Sequence, residues 1–316
     1  MVTRMAAGTH HFPDDSLSGG ARADPGGPEA PGQTPAPDWE TALRQTRFGP
    51  FEMVATTGST NDDLVARAPG PDRDGLVLAS DHQTAGRGRL DRRWDAPTGT
   101  TLTFSTLLRP DWLGPTGQGR PGGTGVDRRG LVTSALAVSV VEVLIAMGLD
   151  AALKWPNDVV LVGGGDATGK VAGILAELVT GQRPAIVVGL GLNVAWPPPD
   201  SDISDEPVPP GATSLARAGL QAHRWWVMAD VLVAFDRELA VLDMADGPER
   251  LRQDHLAVSA TVGSRVRVER PSGDLVGEAV DLTAAGALVV VPDSGDEAGQ
   301  PVEVHAGDVT HLRVVP

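Results

Sequence analysis

The sequence from Asp81 to Trp94 is DHQTAGRGRLDRRW, and the organisation of the chain can be argued outward from it. The stretch contains four arginines and two glycines, Gly86 and Gly88. Guanidinium groups need ionic partners or water, so a surface loop is predicted. Arginine presents a planar donor suited to carboxylates and phosphates, and glycine permits positive φ and close backbone approaches. Two interpretations stay open: a loop that folds over an anionic ligand, or a solvated charged turn.

The composition limits the class of protein. A chain of 316 residues can bury a sizeable core and favours two domains over one. The net charge of -15 argues against general nucleic-acid binding. The absence of cysteine excludes disulfides, thiolate metal sites and a cysteine nucleophile. The sequence has no apolar run long enough for a membrane span and no secretion signal, so a cytoplasmic location is expected.

Lysine and asparagine are unusually scarce in this arginine- and alanine-rich chain. The complete set is Lys154, Lys170, Asn61, Asn157 and Asn193. These five residues are candidates for positions at which no other residue type can perform the function. The alternative is that their positions reflect chance. The functional interpretation gains weight if all five fall beside other motifs.

Composition and the pattern of apolar residues divide the chain into three predicted segments. Residues 1–45 are rich in proline and glycine, which predicts a disordered tail. Residues 46–252 form the larger domain, with strands predicted over 76–80, 100–108 and 184–194 and helices predicted over 131–147 and 223–242. Residues 111–130 are rich in glycine and proline, which predicts a surface loop. From residue 253 the pattern changes to short strands separated by glycine turns, which predicts a small β-barrel or sandwich.

Two glycine-rich segments resemble nucleotide motifs but do not qualify. Residues 164–170 fit G-x-x-x-x-G-K, yet Val171 stands where Ser or Thr should follow and a strand follows instead of a helix. A hairpin is predicted there, with Lys154 and Lys170 on neighbouring strands. Residues 189–193 lack the third glycine of a dinucleotide fingerprint. In the segment LKWPNDVVLV, Pro156 predicts either a shaped turn with polar groups aimed at a ligand or a solvated edge bulge.

The ordered set of motifs closely resembles the biotin–protein ligases over roughly residues 50–316. The resemblance rests on these residues: Ser59 to Asn61, Gln83, Gly86 to Arg89, Arg92, Trp94, Lys154 to Asp158, Lys170, Gly173 and Gly189 to Asn193. It implies an α/β (α+β) fold, with a mixed-sheet, class II synthetase-like catalytic domain followed by a small SH3-like β-barrel. It also implies formation of biotinyl-5′-AMP from biotin and ATP with Mg²⁺, then transfer of biotin to a lysine of a biotin carboxyl carrier domain. No N-terminal DNA-binding domain is recognised, so a ligase alone is expected, without nucleic-acid or membrane partners.

The resemblance also assigns candidate roles to residues. The expected catalytic residues are Lys170, Arg87, Arg89 and Asp158. The expected biotin-binding residues are Ser59, Thr60, Asn61, Gln83, Gly86, Arg87, Gly88, Arg89, Lys170 and Gly173. The expected nucleotide-binding residues are Arg89, Arg92, Trp94, Lys154, Asn157, Asp158 and Asn193. Asp158 has two open roles, to hold Mg²⁺ or to orient the acceptor lysine, and no metal site built from protein ligands alone is assigned.

This chemistry agrees with the residue types, because a carboxylate can reach a triphosphate only if cations neutralise both. Residues 83–96 are expected to be disordered without biotin and ordered around the adenylate, since acyl-adenylates must be kept from water. The nearest alternative is a lipoate or octanoate ligase or transferase of the same fold. A second is a biotin-responsive repressor, and a third is an adaptor that has lost activity.

Overall fold

The larger domain is built on a seven-stranded mixed sheet. The computed structural model describes residues 39–89, 92–113, 126–164, 167–199, 208–270, 273–295, 297–305 and 308–311. The strands are β1 (Phe51–Thr57), β2 (Leu76–Gln83), β3 (Thr101–Leu108), β4 (Ala151–Lys154), β5 (Asp158–Leu161), β6 (Gly169–Val179) and β7 (Ala185–Asn193). Their order is β1-β2-β3-β7-β6-β5-β4, with β1 parallel to β2 and every other pair antiparallel.

The central strands are buried on both faces, which explains their continuous apolar sequences. Alternate residues of a strand point to opposite faces. On β2, Leu78 packs with helix α2 (Thr60–Arg67), whereas Ala79 belongs to the core formed with helices α3 (Leu131–Ala146) and α4 (Arg224–Asp243). The sheet therefore lies between two helical layers, as the mixed α/β prediction requires.

Helix α5 (Gly247–Ala257) was not predicted, and it corrects the domain boundary. The expected boundary between residues 252 and 253 falls inside this helix, which packs on α3 and α4. Its sequence is mostly polar, and its buried residues include only two large side chains, Leu251 and His255. The larger domain therefore extends through α5.

The C-terminal domain is a small SH3-like β domain with its own core. Its strands are β8 (Arg265–Glu269), β9 (Leu275–Leu282), β10 (Leu288–Pro292), β11 (Val302–Val304) and β12 (Asp308–His311). They form an antiparallel sheet in the order β11-β10-β9-β8-β12. Alternate residues such as Val266 and Val268 are fully buried, so the strands have the period of a half-buried sheet.

Two further predictions need correction. Residues 39–45 were expected to belong to the tail, but α1 (Trp39–Ala42) is helical, Trp39 packs edge-on against Phe51 at 5.5 Å, and Leu43 is buried. The rest of the predicted tail, like most of the loop expected at 111–130, lies outside the described residues. Lys154 and Lys170 are not on neighbouring strands either, because β5 separates β4 from β6.

No helix within these described ranges combines the length and apolarity that crossing a membrane requires.

Candidate functional site

The loop that follows β2 folds back on itself beside the sheet. The Gly88 amide donates to the Arg92 carbonyl at 2.6 Å, and the Trp94 amide donates to the Gly86 carbonyl at 2.9 Å. A side chain at Gly86 would lie 2.3 Å from the Trp94 carbonyl oxygen, so the close approach needs glycine there. Of the two properties that glycine permits, the loop uses the close approach at Gly86, and neither glycine adopts positive φ.

A small polar pocket lies where α2 begins. Ser59 caps the helix by accepting from the Asp62 amide. The Thr60 amide donates to Gln83 Oε1 at 2.8 Å, and the Thr60 hydroxyl lies 2.7 Å from Ser105 Oγ. The pocket has a volume of about 30 Å³ in this structure. It presents both donors and acceptors, as recognition of a polar heterocycle requires.

Asn61 connects this pocket to strand β6. Its side-chain oxygen accepts from Ser105 Oγ at 2.7 Å, and its Nδ2 donates to Glu177 Oε2 at 2.9 Å. The side chain is 5 % exposed, so its polar atoms depend on these partners. The orientation of Asn61 is therefore fixed by its neighbours before any ligand binds.

Trp94 packs against β6 and β7 where both strands have glycine. Gly173 and Gly191 are directly paired across these strands. A Cβ atom added at Gly191 would lie 2.5 Å from the Trp94 ring, so the indole occupies space that any other residue would fill. The Lys170 ammonium lies 5.7 Å from the ring centroid, and the Trp94 Nε1 is buried with no hydrogen-bond partner.

Trp94 also borders a larger cavity of about 420 Å³. The charged and amide side chains that line it come from the loop, the β4–β5 turn, β6, β7 and the β domain: Arg87, Arg89, Arg92, Arg93, Asp95, Lys154, Asn157, Asp158, Lys170, Asn193 and Glu269. Arg87 and Trp94 border both cavities, so the two are neighbours.

Several cations of the site are paired with carboxylates of the site. Lys170 Nζ lies 2.6 Å from Asp158 Oδ1. Arg87 donates to both oxygens of Glu177 at 2.8 Å and also contacts Asp62. The hydrogen bond to Glu177 raises the pKa of the Arg87 guanidinium, which keeps it charged. An incoming anion would therefore compete with carboxylates for these groups.

The structure brings nearly all predicted site residues together. Those lining the small pocket are Ser59, Thr60, Asn61, Gln83, Arg87 and Trp94. Those lining the large cavity are Arg87, Gly88, Arg89, Arg92, Trp94, Lys154, Asn157, Asp158, Lys170, Gly173 and Asn193. Gly86 borders neither cavity and shapes the loop. All five scarce lysines and asparagines lie in the two cavities, so chance is the weaker explanation for them.

Some of these residues also have structural partners. Asn193 is 4 % exposed and donates to the Thr213 carbonyl at 2.9 Å, which holds the loop after residue 208 against β7. Asn157 donates to the Ile174 carbonyl at 2.7 Å and accepts from Arg89 at 3.3 Å. Both side chains therefore order the cavity wall as well as bordering it.

Sequence reasoning missed several residues at the site, and four of them bear on its chemistry or its walls. Ser105 and Glu177 complete the small pocket's hydrogen bonds. Glu269 and Val309 of the β domain border the large cavity. The alternation of polar residues in β3 is a signal that could have found Ser105, whereas no local pattern indicates the other three.

In the described part of the chain, no three His, Asp or Glu side chains are grouped to bind a metal ion.

Comparison with known proteins shows which family the chain belongs to. The sequence model of the Biotin/lipoate A/B protein ligase family matches residues 55–193, and that of the Biotin protein ligase C terminal domain matches residues 261–312. The chain is 40% identical over 275 residues to the biotin–[acetyl-CoA-carboxylase] ligase of Mycobacterium tuberculosis, covering 83% of this chain and 89% of that protein. The chain belongs to the biotin protein ligase family.

Two further members support the assignment along most of the chain. The biotin–[acetyl-CoA-carboxylase] ligase of Paracoccus denitrificans is 30% identical over 258 residues, which cover 81% of this chain and 100% of that protein. The biotin protein ligase of Aquifex aeolicus, solved with biotin and ATP, has a TM-score of 0.63 and 24% identity. It covers 84% of this chain and 100% of that one, and so supports the shared fold.

Proposed function

We propose that this ligase activates biotin with ATP and then transfers it to a lysine of a carrier protein. In the first step a biotin carboxylate oxygen bonds to the α-phosphorus of ATP, and the bond to the leaving pyrophosphate breaks. In the second step the lysine amine bonds to the acyl carbon, AMP leaves, and the amine loses a proton. The observation that carries this proposal is that a small pocket of hydrogen-bond donors and acceptors lies next to a cation-lined cavity, with Trp94 bordering both.

We assign the small pocket to the biotin ring and the large cavity to the nucleotide. Ser59, Thr60, Asn61 and Gln83 supply donors and acceptors for the ureido group. A volume of about 30 Å³ is too small for a bicyclic ligand, so the pocket must widen when biotin binds. Trp94 borders the pocket and packs against Gly173 and Gly191, and we propose that it is the group that moves.

Lys170 and the loop arginines neutralise the reacting anions. Lys170 lines the large cavity beside Asp158 and beside Trp94, which borders both cavities. An ammonium there lowers the repulsion between a carboxylate and the α-phosphate and stabilises the charge that develops during displacement. Arg87 borders both cavities and Arg89 borders the large one, whereas Arg92, Lys154 and Asn157 are assigned to the nucleotide.

The cavity also suits Mg²⁺ accompanied by ATP phosphates. Mg²⁺ is commonly held by one or two protein carboxylates and by phosphate oxygens, and Asp158 is a carboxylate inside the cavity. When bound, the ion would neutralise phosphate charge. Asp158 has a second candidate role, to orient the acceptor lysine, and its contact with Lys170 is compatible with both.

We further propose that the acceptor is the biotin carboxyl carrier domain of a biotin-dependent carboxylase. The relatives in Mycobacterium tuberculosis and Paracoccus denitrificans are named as ligases for acetyl-CoA carboxylase. Both the loop and the β domain border the large cavity, so we propose that the carrier lysine enters near these two elements.

The competing function is ligation of lipoate or octanoate on the same fold. The family model of the larger domain includes both groups, but the C-terminal match is to the biotin ligases. Biotin-dependent ATP–pyrophosphate exchange, followed by transfer to a purified carrier domain, tests the proposal. Exchange that lipoate stimulates and biotin does not would reject it.

A further inference from the structure

Trp155 belongs to the larger domain by sequence but to the β domain by packing. It lies in the turn between β4 and β5, yet only 4 % of its surface is exposed and it is part of the core that contains Val266 and Val268. Its indole Nε1 donates to the Gly286 carbonyl at 3.0 Å. Most of the indole is thus committed to the β domain, although the residue also borders the large cavity.

Main-chain hydrogen bonds fix the same turn to the segment that enters the β domain. The Leu153 amide donates to the Val258 carbonyl at 2.7 Å, and the Ala260 amide donates to the Leu153 carbonyl at 2.7 Å. The Trp155 amide donates to Thr261 Oγ1 at 3.0 Å. The edge of the catalytic sheet is therefore joined to the β domain by a short stretch of strand-like pairing.

The residues on either side of Trp155 line the nucleotide cavity. Lys154 precedes it, and Asn157 and Asp158 follow it after one proline. Glu269 and Val309 of the β domain border the same cavity. If the indole moved relative to the β domain, Lys154, Asn157 and Asp158 would move with it, because they are within three residues of Trp155 in a short turn.

We propose that Trp155 is a positioning residue through which the β domain sets the place of Lys154, Asn157 and Asp158 against the nucleotide. This inference rests on the proposed function, because it takes the large cavity to be the ATP site. The biotin pocket is lined by α2, β2, β3, β6 and β7 and by Arg87 and Trp94, and the two hydrogen bonds of Trp155 go to none of these. Substitution of Trp155 should therefore affect the binding of ATP and not the binding of biotin.

The test uses the full chain with three substitutions. Trp155→Phe keeps an aromatic ring but removes the hydrogen bond from the indole Nε1 to the Gly286 carbonyl of the β domain. Trp155→Ala removes most of the packing. Val304→Ala is the matched control, because Val304 is 2 % exposed in the same β-domain core but lies on β11, the edge strand furthest in order from β12.

Trp155→Phe is expected to raise the KM for ATP about fivefold, the equivalent of one lost hydrogen bond, while the KM for biotin stays unchanged. Trp155→Ala should raise the KM for ATP further. Val304→Ala should lower the melting temperature and leave both KM values unchanged. Wild-type KM values for ATP in folded Trp155→Phe, or equal changes for ATP and biotin, would overturn the inference.

A readout that needs no turnover keeps the two proposals distinguishable. Amide hydrogen exchange at Leu153 and Trp155 should accelerate in Trp155→Phe and remain at wild-type rates in Val304→Ala. ATP binding followed by calorimetry should weaken by the same factor as the KM rises. If the wild-type protein shows no biotin-dependent ATP–pyrophosphate exchange, the proposed function fails. If ATP binding and amide protection are both unchanged in Trp155→Phe, the positioning role alone is overturned.

Discussion

The arginine loop of residues 86–94 and the turn of residues 154–158 border one cavity but are held in opposite ways. The loop is closed by main-chain bonds to itself, and its Arg87 side chain, 39 % exposed, is held by carboxylates. The turn is anchored by a buried tryptophan and by hydrogen bonds to another domain. The loop can rearrange without disturbing a core, whereas the turn cannot.

This difference suits the two-step chemistry proposed above. Arg87, which must exchange carboxylates for a substrate anion, lies on the adjustable loop. Lys154, Asn157 and Asp158 lie on the anchored turn, where charge held in a fixed geometry around the nucleotide is most effective. The following predictions test the contrast in order of decreasing effect.

Lys170 is the cation on which both elements converge, so its removal should have the largest effect. We expect Lys170→Ala to lower biotin-dependent ATP–pyrophosphate exchange about 100- to 1,000-fold, the usual effect of deleting a group that stabilises developing negative charge. Arg237→Ala removes an ion pair on α4 and serves as the control with unchanged exchange. Near-normal turnover in folded Lys170→Ala would exclude Lys170 from the chemistry.

The larger domain, which carries the anchored turn, should become less stable in acid because of His255 on α5. Burial lowers the pKa of His255 to about 4 from 6.5, so the neutral ring is favoured in the folded state. Stability present above pH 6.5 is lost as the pH falls toward 4, by about 3 kcal/mol. We expect urea unfolding to show this loss in the wild type relative to His255→Gln.

The wild type must be compared with His255→Gln because Glu238 changes the pH dependence of stability in the opposite direction. Burial raises the pKa of Glu238 to about 7, so its contribution favours folding as the pH falls. That contribution is common to both proteins and cancels in their difference. His305→Gln is the control, since His305 is 72 % exposed and its removal should leave the profile unchanged. Parallel profiles for wild type and His255→Gln would refute this assignment.

The adjustable element should be released by a side chain placed under Trp94. In Gly191→Ala the added methyl would lie 2.5 Å from the indole, and overpacking of this kind costs about 1–3 kcal/mol. Trypsin should cleave after the loop arginines faster in ligand-free Gly191→Ala than in the wild type. Gly163→Ala, whose methyl would find its nearest neighbour at 3.8 Å, should be cleaved at the wild-type rate. Unchanged cleavage in Gly191→Ala would show that Trp94 does not hold the loop.

The smallest effect is expected from Glu177→Gln, which weakens the hold on Arg87. A partly exposed ion pair contributes at most about 1 kcal/mol, so biotin should bind about two- to fivefold more tightly when this competitor is removed. The amide oxygen can still accept from Asn61, which preserves the pocket. Calorimetric titration with biotin measures the change, and Glu142→Gln on α3 is the neutral control. Weaker binding would mean that Glu177 assists biotin instead of competing with it.

Local sequence was sufficient for most of the fold. The predicted strands at 76–80, 100–108 and 184–194 correspond to β2, β3 and β7, and the two long helices correspond to α3 and α4. Their apolar patterns are strong because both faces of the sheet are covered. Helix α5 escaped prediction because few of its side chains are buried, so its periodicity is weak.

The candidate site was predictable where residue type is informative by itself. Arginine, lysine and asparagine in a chain that otherwise avoids the last two indicated positions in both cavities, from Asn61 to Asn193. Glu177 and Trp155 could not be found in this way, because their partners are far away along the chain. Glu177 meets Arg87 across 90 residues, and Trp155 meets Gly286 across 131.

The sequence by itself determined the two-domain α/β architecture, the family and the residue types that face an anionic ligand, because periodicity and charge are local properties. Only the tertiary structure decided that Trp94 lies on a glycine surface between two cavities, that the loop cations are paired with carboxylates, and that the KWPND turn is anchored in the β domain. Those facts depend on strand register and on contacts between distant segments, and neither is written in the order of neighbouring residues.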